Sequence, residues 1–195
     1  MAKVSRQKPC VCWRGAVEDK QSATLRVFFA LWPDSALQIG LHNLGSHLSA
    51  DCGGHAMRPE TIHLTLAFIG ALPVNQLEQL YAVAAQVNSP VFNWQIDQVG
   101  YWRRHQILWA GTSQPPEALT TLVSRLHAAL NDAGLAFDDS KPFAPHITLL
   151  RKAHCEQLAH PPQALHWLVR EFVLMQSETT AEGANYRVMR RWPLM

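Results

Sequence analysis

Two four-residue segments of this chain carry the same pattern, His63-Leu64-Thr65-Leu66 and His146-Ile147-Thr148-Leu149. Each lies in an apolar, strand-like run, TIHLTLAFIG and PHITLLR. In a strand, residues two apart point to one face. His63 and Thr65 therefore share a face, as do His146 and Thr148. Two imidazoles, each with a hydroxyl beside it, can give a proton at one end of a reacting group and take one at the other. That equipment suits cleavage of a P–O bond without a metal. In a chain with ten histidines, two matches to H-x-T carry little weight alone. Their shared context adds weight, because both follow a proline-containing entry, RPETIH and FAPH.

The elements that must position these histidines can be read along the chain. LRVFFALWP (25–33) reads as a strand ending at proline. Asp34 or Ser35 can cap a following helix whose Leu37, Leu41, Leu44 and Leu48 share one face. A Gly53-Gly54 loop leads to the first histidine strand. A second helix is expected after Pro73, then a strand over VFNWQIDQVGYW and another over HQILWAGT. Pro115-Pro116 opens the most regular helix, with Leu119, Leu122, Val123, Leu126 and Leu130 as its stripe and Gly134 as its stop. Closing strands are expected at 166–177 and 184–194.

In order of elements the two halves match. Strand 25–32, helix 35–49 and the His63 strand correspond to strand 106–112, helix 116–133 and the His146 strand. This predicts an internal duplication, with both histidine strands against one groove. The expected fold class is α+β, with two pseudo-symmetric lobes, each an antiparallel sheet with helices outside, facing across a central cleft.

Composition limits the alternatives. The chain has 195 residues, 48% hydrophobic and 16% charged, with a net charge of +2. This suits a single bilobal domain over 24–195 and argues against general disorder. The charge is too mild for nonspecific duplex binding but compatible with a local anion site. No apolar run reaches the roughly 20 residues of a membrane span. Residues 1–23 contain Lys3, Arg6, Lys8, Arg14 and Lys20 without an apolar stretch, so they are left as an unassigned tail rather than a secretory signal. Cys10, Cys12, Cys52 and Cys155 form no disulfide framework by spacing, which points to a reducing, cytoplasmic setting. Cys52, His55, His154, Cys155 and His160 lack the paired spacing of zinc sites, so no metal is expected. Neither a P-loop nor a G-x-G-x-x-G pattern is present, so no nucleotide cofactor is expected.

The paired H-x-T-x motifs, the opening LRVFFALWP, the approach RPETIHLTLAFIG, the stretch KPFAPHITLLR and the ending ANYRVMRRWPL resemble the 2H phosphoesterase superfamily. The likeness is to its bacterial branch, the RNA 2′,3′-cyclic phosphodiesterases also described as 2′-5′ RNA ligases, and covers about Thr24 to Leu194. The resemblance implies metal-independent hydrolysis of RNA 2′,3′-cyclic phosphate ends to a 2′-phosphate, with reverse 2′-5′ ligation at the same site. It implies His63 as proton donor to the leaving ribose oxygen and His146 as the acceptor that activates water. Thr65 and Thr148 can donate hydrogen bonds to the non-bridging phosphate oxygens.

Arg151 is the expected phosphate clamp, because the family places a basic residue there. Simple alternation puts it on the face opposite Thr148, so a bulge or strand end is needed, and Lys152 is its rival. Phe28 and Phe143 are candidates for base or ribose contacts, with core packing as the other outcome. His42, His47, His105, His127, His154, His160 and His166 fit no pattern and are read as structural or surface residues. The expected partner is an RNA or oligonucleotide with a cyclic-phosphate end, acted on by a monomer. A non-catalytic RNA-end or nucleotide-binding module remains the alternative, as does a phosphodiesterase for 2′-5′ oligoadenylates or small cyclic nucleotides.

Overall fold

The computed structural model describes residues 23–156, 163–181 and 183–195. In chain order its elements are β1 (Thr24–Leu31), α1 (Ser35–Cys52), β2 (His55–Ala56), β3 (Leu64–Pro73), α2 (Leu77–Ala84), β4 (Phe92–Ile96), β5 (Gln98–Trp102), β6 (Ile107–Gly111), α3 (Glu117–Asp132), β7 (Ile147–Arg151), β8 (Leu165–Val169), β9 (Glu171–Thr180) and β10 (Gly183–Pro193). The larger sheet runs β10-β9-β1-β3-β7-β6-β5, with β2 paired to β7; β4 and β8 form a separate ribbon. Every pairing is antiparallel.

The duplication seen in the sequence is visible in the topology. β1 pairs with β3 in one lobe and β6 pairs with β7 in the other. β3 and β7 themselves pair at one position, Leu64 opposite Ile147, and β2 adds a second link to β7. Apolar side chains of both lobes and of the helices meet in one core, with α1 lying on β7 and α3 on β3. Val27, Phe29 and Leu31 of β1 enter the main core with Leu41 and Leu48 of α1, and Leu119, Leu122, Leu126 and Leu130 of α3 join the same core. The opposite face of β1 carries Phe28 and Ala30 into a smaller cluster with Val173 and Met175, and Trp32, Phe68 and Tyr186 pack against it. Alternation along one strand thus divides fold-building from cleft-lining residues. Asp34 caps α1, its carboxylate accepting from the Leu37 amide at 2.8 Å.

Three expectations are corrected. The strand predicted over VFNWQIDQVGYW is two strands, β4 and β5, which part at Asp97 and enter different sheets. The strand predicted at 166–177 likewise breaks at Arg170 into β8 and β9. Uninterrupted alternation does not reveal a change of sheet. The third correction concerns the cysteines. Cys52, at the end of α1, and Cys155, after β7, are joined by a disulfide across a sequence separation of 103. Only the packing of α1 onto the second lobe brings them together, so their spacing gave no sign of it. The pairing removes the cysteine argument for a reducing compartment and takes both sulfurs out of any zinc set. Cys10, Cys12, His160 and the tail lie outside the described residues. No helix among the described residues is long and apolar enough to cross a membrane.

Candidate active site

His63 and His146 stand one residue before the Leu64–Ile147 pair at which the lobes join. Continuing that antiparallel register sets His63 across from Thr148 and Thr65 across from His146. Directly opposed residues of such a pair have Cβ atoms about 5 Å apart. The four side chains therefore converge, and all four line a cleft of 480 Å³.

Each histidine is held the same way. His63 Nδ1 lies 2.7 Å from the Thr61 carbonyl, and His146 Nδ1 lies 2.8 Å from the Ala144 carbonyl. A carbonyl only accepts, so Nδ1 carries the proton in both rings and Nε2 is left for chemistry. The surroundings differ. The His63 ring is flanked by Phe28 at 4.9 Å, Tyr186 at 5.2 Å and a stacked Trp32 at 5.6 Å. His146 has Trp102 edge-on at 4.4 Å. Burial, helped by the charges of His146 and Arg151 and opposed by the Thr61 bond, brings the His63 pKa down to about 4. His146 is also lowered, mainly by burial, again opposed by its own carbonyl bond and assisted by Arg151.

Strand irregularities decide which further side chains reach the cleft. On β7, Leu108 faces Leu150 and Trp109 faces Thr148, so Leu149 is an extra, bulged residue. The bulge reverses the alternation, and Arg151 lines the cleft with Thr148. Lys152 follows in a left-handed conformation, φ 57°, and is absent from the cleft wall. Of the two rivals, Arg151 is the one that lines the cleft. β3 repeats the device: Ala67 faces Phe29 and Thr65 faces Ala30, so Leu66 is bulged and Phe68 reaches the cleft beside Thr65. Both bulged carbonyls have partners from outside the ladder. Leu149 O accepts from the Met57 amide at 2.8 Å, and Leu66 O accepts from His127 Nε2 at 2.9 Å. Gly54 (φ 83°) lets the chain pass the Arg151 carbonyl, which a Cβ would meet at 2.6 Å. Beside it, His55 of β2 pairs with Arg151.

Phe68 occupies in the first lobe the place of Arg151 in the second, and Arg26 lies over its ring at 4.8 Å. Arg26 also lines the cleft, and no carboxylate does among the described residues. Two guanidiniums, two threonine hydroxyls and two imidazoles around a cavity without negative charge suit an anionic diester. Sequence reasoning missed Arg26, Trp32, Tyr186 and Trp102. The first two were accessible, because Arg26, Phe28 and Ala30 share one face of β1 and Trp32 continues that alternation just past its end. Tyr186 and Trp102 depend on tertiary approach. Phe28 is buried against His63, and Phe143 lies outside this cleft in a neighbouring cavity. Of the unmatched histidines, His42 and His127 bond backbone carbonyls, and His154 bonds the Gln106 side chain.

The family model described as LigT like Phosphoesterase matches residues 31–109 and 111–186. The RNA 2′,3′-cyclic phosphodiesterase of Escherichia coli (strain K12) is 33% identical over 172 residues, 87% of this chain and 96% of that protein. The Thermus thermophilus protein of the same name is 26% identical, over 87% of this chain and 90% of its own. The crystal structure of E. coli LigT complexed with 3′-AMP superposes with a TM-score of 0.77 at 30% identity, covering 88% of this chain and 98% of that one.

Proposed function

Since the chain belongs to the family of LigT-like phosphoesterases, we propose that it hydrolyses RNA 2′,3′-cyclic phosphate ends to 2′-phosphates by two-histidine acid–base catalysis. The observation that carries this is the convergence of His63, His146, Thr65, Thr148 and Arg151 on one cleft. His146, neutral, takes a proton from water as the water attacks phosphorus. His63, protonated, gives a proton to the departing 3′-oxygen. Thr65, Thr148 and Arg151 hold the non-bridging oxygens, whose charge grows in the pentacoordinate transition state. The bond to the 2′-oxygen stays, so a 2′-phosphate results. The same geometry run with an alcohol instead of water gives 2′-5′ ligation.

The shared name of the curated relatives and the nucleotide in the E. coli LigT crystal structure support an RNA end as substrate. So do the aromatic rings of Phe68 and Tyr186 in the cleft wall, which can meet a base. The test is the product isomer. Incubation with 2′,3′-cyclic AMP followed by chromatography is expected to give 2′-AMP. Formation of 3′-AMP would reverse the leaving oxygen, and no turnover would overturn the proposal.

A further inference from the structure

β3 and β7 pair only at Leu64 and Ile147. Past that point they part, and the edge of β3 that faces away from β1 has no strand neighbour among the described residues. Carbonyls on a bare strand edge need partners from elsewhere. Two of them are met by α3 and by the segment after it. Leu66 O accepts from His127 Nε2 at 2.9 Å, and Phe68 O accepts from the Asp138 amide at 2.8 Å.

The helix brings His127 to this edge. It stands four residues after Val123 and three before Leu130, both in the buried stripe, so it sits at the margin of the face turned to β3. Phe137 braces the ring, with centroids 4.5 Å apart. The ring also borders a cavity of 780 Å³ beside the cleft. Without the ring N–H, water in that cavity is the remaining partner of the Leu66 carbonyl.

Leu66 is the bulged residue of β3, and Thr65 before it and Phe68 beyond it line the cleft. The extra residue of a bulge has no ladder partner, so a bond from outside sets the tilt of its peptide. In the second lobe that bond comes from main chain, the Met57 amide. In the first lobe it comes from a side chain, and a side chain can be replaced. His127 itself does not line the cleft. We infer that His127 is a positioning residue of this site, fixing through Leu66 O the turn of β3 that aims the Thr65 hydroxyl into the cleft. The inference rests on the proposed function, in which Thr65 holds a non-bridging phosphate oxygen. That oxygen gains charge toward the transition state, so a misaimed hydroxyl costs turnover more than binding.

Three substitutions separate the hydrogen bond from the packing. His127→Phe keeps a ring against Phe137 and loses the donor. His127→Gln places an amide N–H at the reach of Nε2, and His127→Asn places one only at the reach of Nδ1. Steady-state kinetics with 2′,3′-cyclic AMP reads all three beside the wild type. His127→Phe and His127→Asn are expected to lower kcat about 10- to 100-fold, the cost of about 1 Å of misplacement, with KM little changed. His127→Gln is expected to recover most of that loss. In a Thr65→Val background His127→Phe should cost nothing further, because the group it aims is gone. Circular dichroism verifies folding, and His127→Asn takes the place of His127→Phe throughout if the latter does not fold. Wild-type kcat in the variants without the donor would overturn the inference alone. So would an equal loss in His127→Gln, which would make the ring and not its N–H the cause. A full additional loss on top of Thr65→Val would overturn it as well. No turnover of cyclic AMP by the wild type would overturn the proposed function, and this inference with it.

Discussion

Replacing His63 by Gln tests whether the aromatic packing around this ring does what its geometry implies. Unfolded, the imidazole titrates near 6.5; folded, burial holds it neutral down to about 4. Between these values the unfolded chain binds the proton and the folded chain does not. Stability contributed by the neutral ring is therefore complete above pH 6.5 and is lost as pH falls toward 4. At about 1.4 kcal/mol per pH unit, the interval corresponds to at most about 3.5 kcal/mol, reduced by whatever solvent reaches the ring. Urea denaturation of wild type and His63→Gln at pH 4, 5, 6 and 7 measures it. The difference in stability between the two proteins should narrow, or reverse in favour of the variant, by a few kcal/mol as pH drops. Carboxylate titration elsewhere is common to both and cancels. Parallel curves for the two proteins would refute the assignment of a desolvated His63.

Three further outcomes follow from the same geometry. Arg151→Gln should lower kcat/KM for a cyclic-phosphate substrate about 100- to 1,000-fold, the range for loss of one transition-state donor. Lys152→Ala should stay at the wild-type value, and steady-state kinetics of the two variants checks the bulge. Because both histidines titrate below their ordinary value, the profile of kcat/KM against pH should be bell-shaped with its maximum below pH 6.5. A maximum on the alkaline side would contradict this. Gly100→Ala places a Cβ 2.0 Å from the Trp109 ring, which packs on Trp102 at 5.7 Å, itself against His146. It should destabilise the fold by about 1–3 kcal/mol and reduce kcat, read by thermal denaturation and initial rates.

Much of the site was legible because it depends on short-range rules. Alternation placed His63 with Thr65 and His146 with Thr148, and the repeated order of elements placed both strands against one groove. Arg151 could be named but not oriented. Its orientation depends on Leu149 being bulged, and the bulge depends on partners from outside β7, the Met57 amide and the passage at Gly54. Arg26 and Trp32 were within reach of the same alternation that singled out Phe28, since Arg26 shares its strand face and Trp32 continues it past the strand end. Trp102, Tyr186 and the Cys52–Cys155 link were not, because each arises where segments far apart in sequence pack together.

The account rests on a reaction that two histidines carry without a metal. Its most direct test is hydrolysis of a short RNA ending in a 2′,3′-cyclic phosphate, in excess EDTA, by wild type, His63→Ala and His146→Ala, with folding of each verified by circular dichroism. The account predicts turnover by the wild type and loss of at least about 100-fold in each variant, the lower range for removal of one positioned acid or base. Turnover that EDTA abolishes, or that survives in both folded variants, would contradict it.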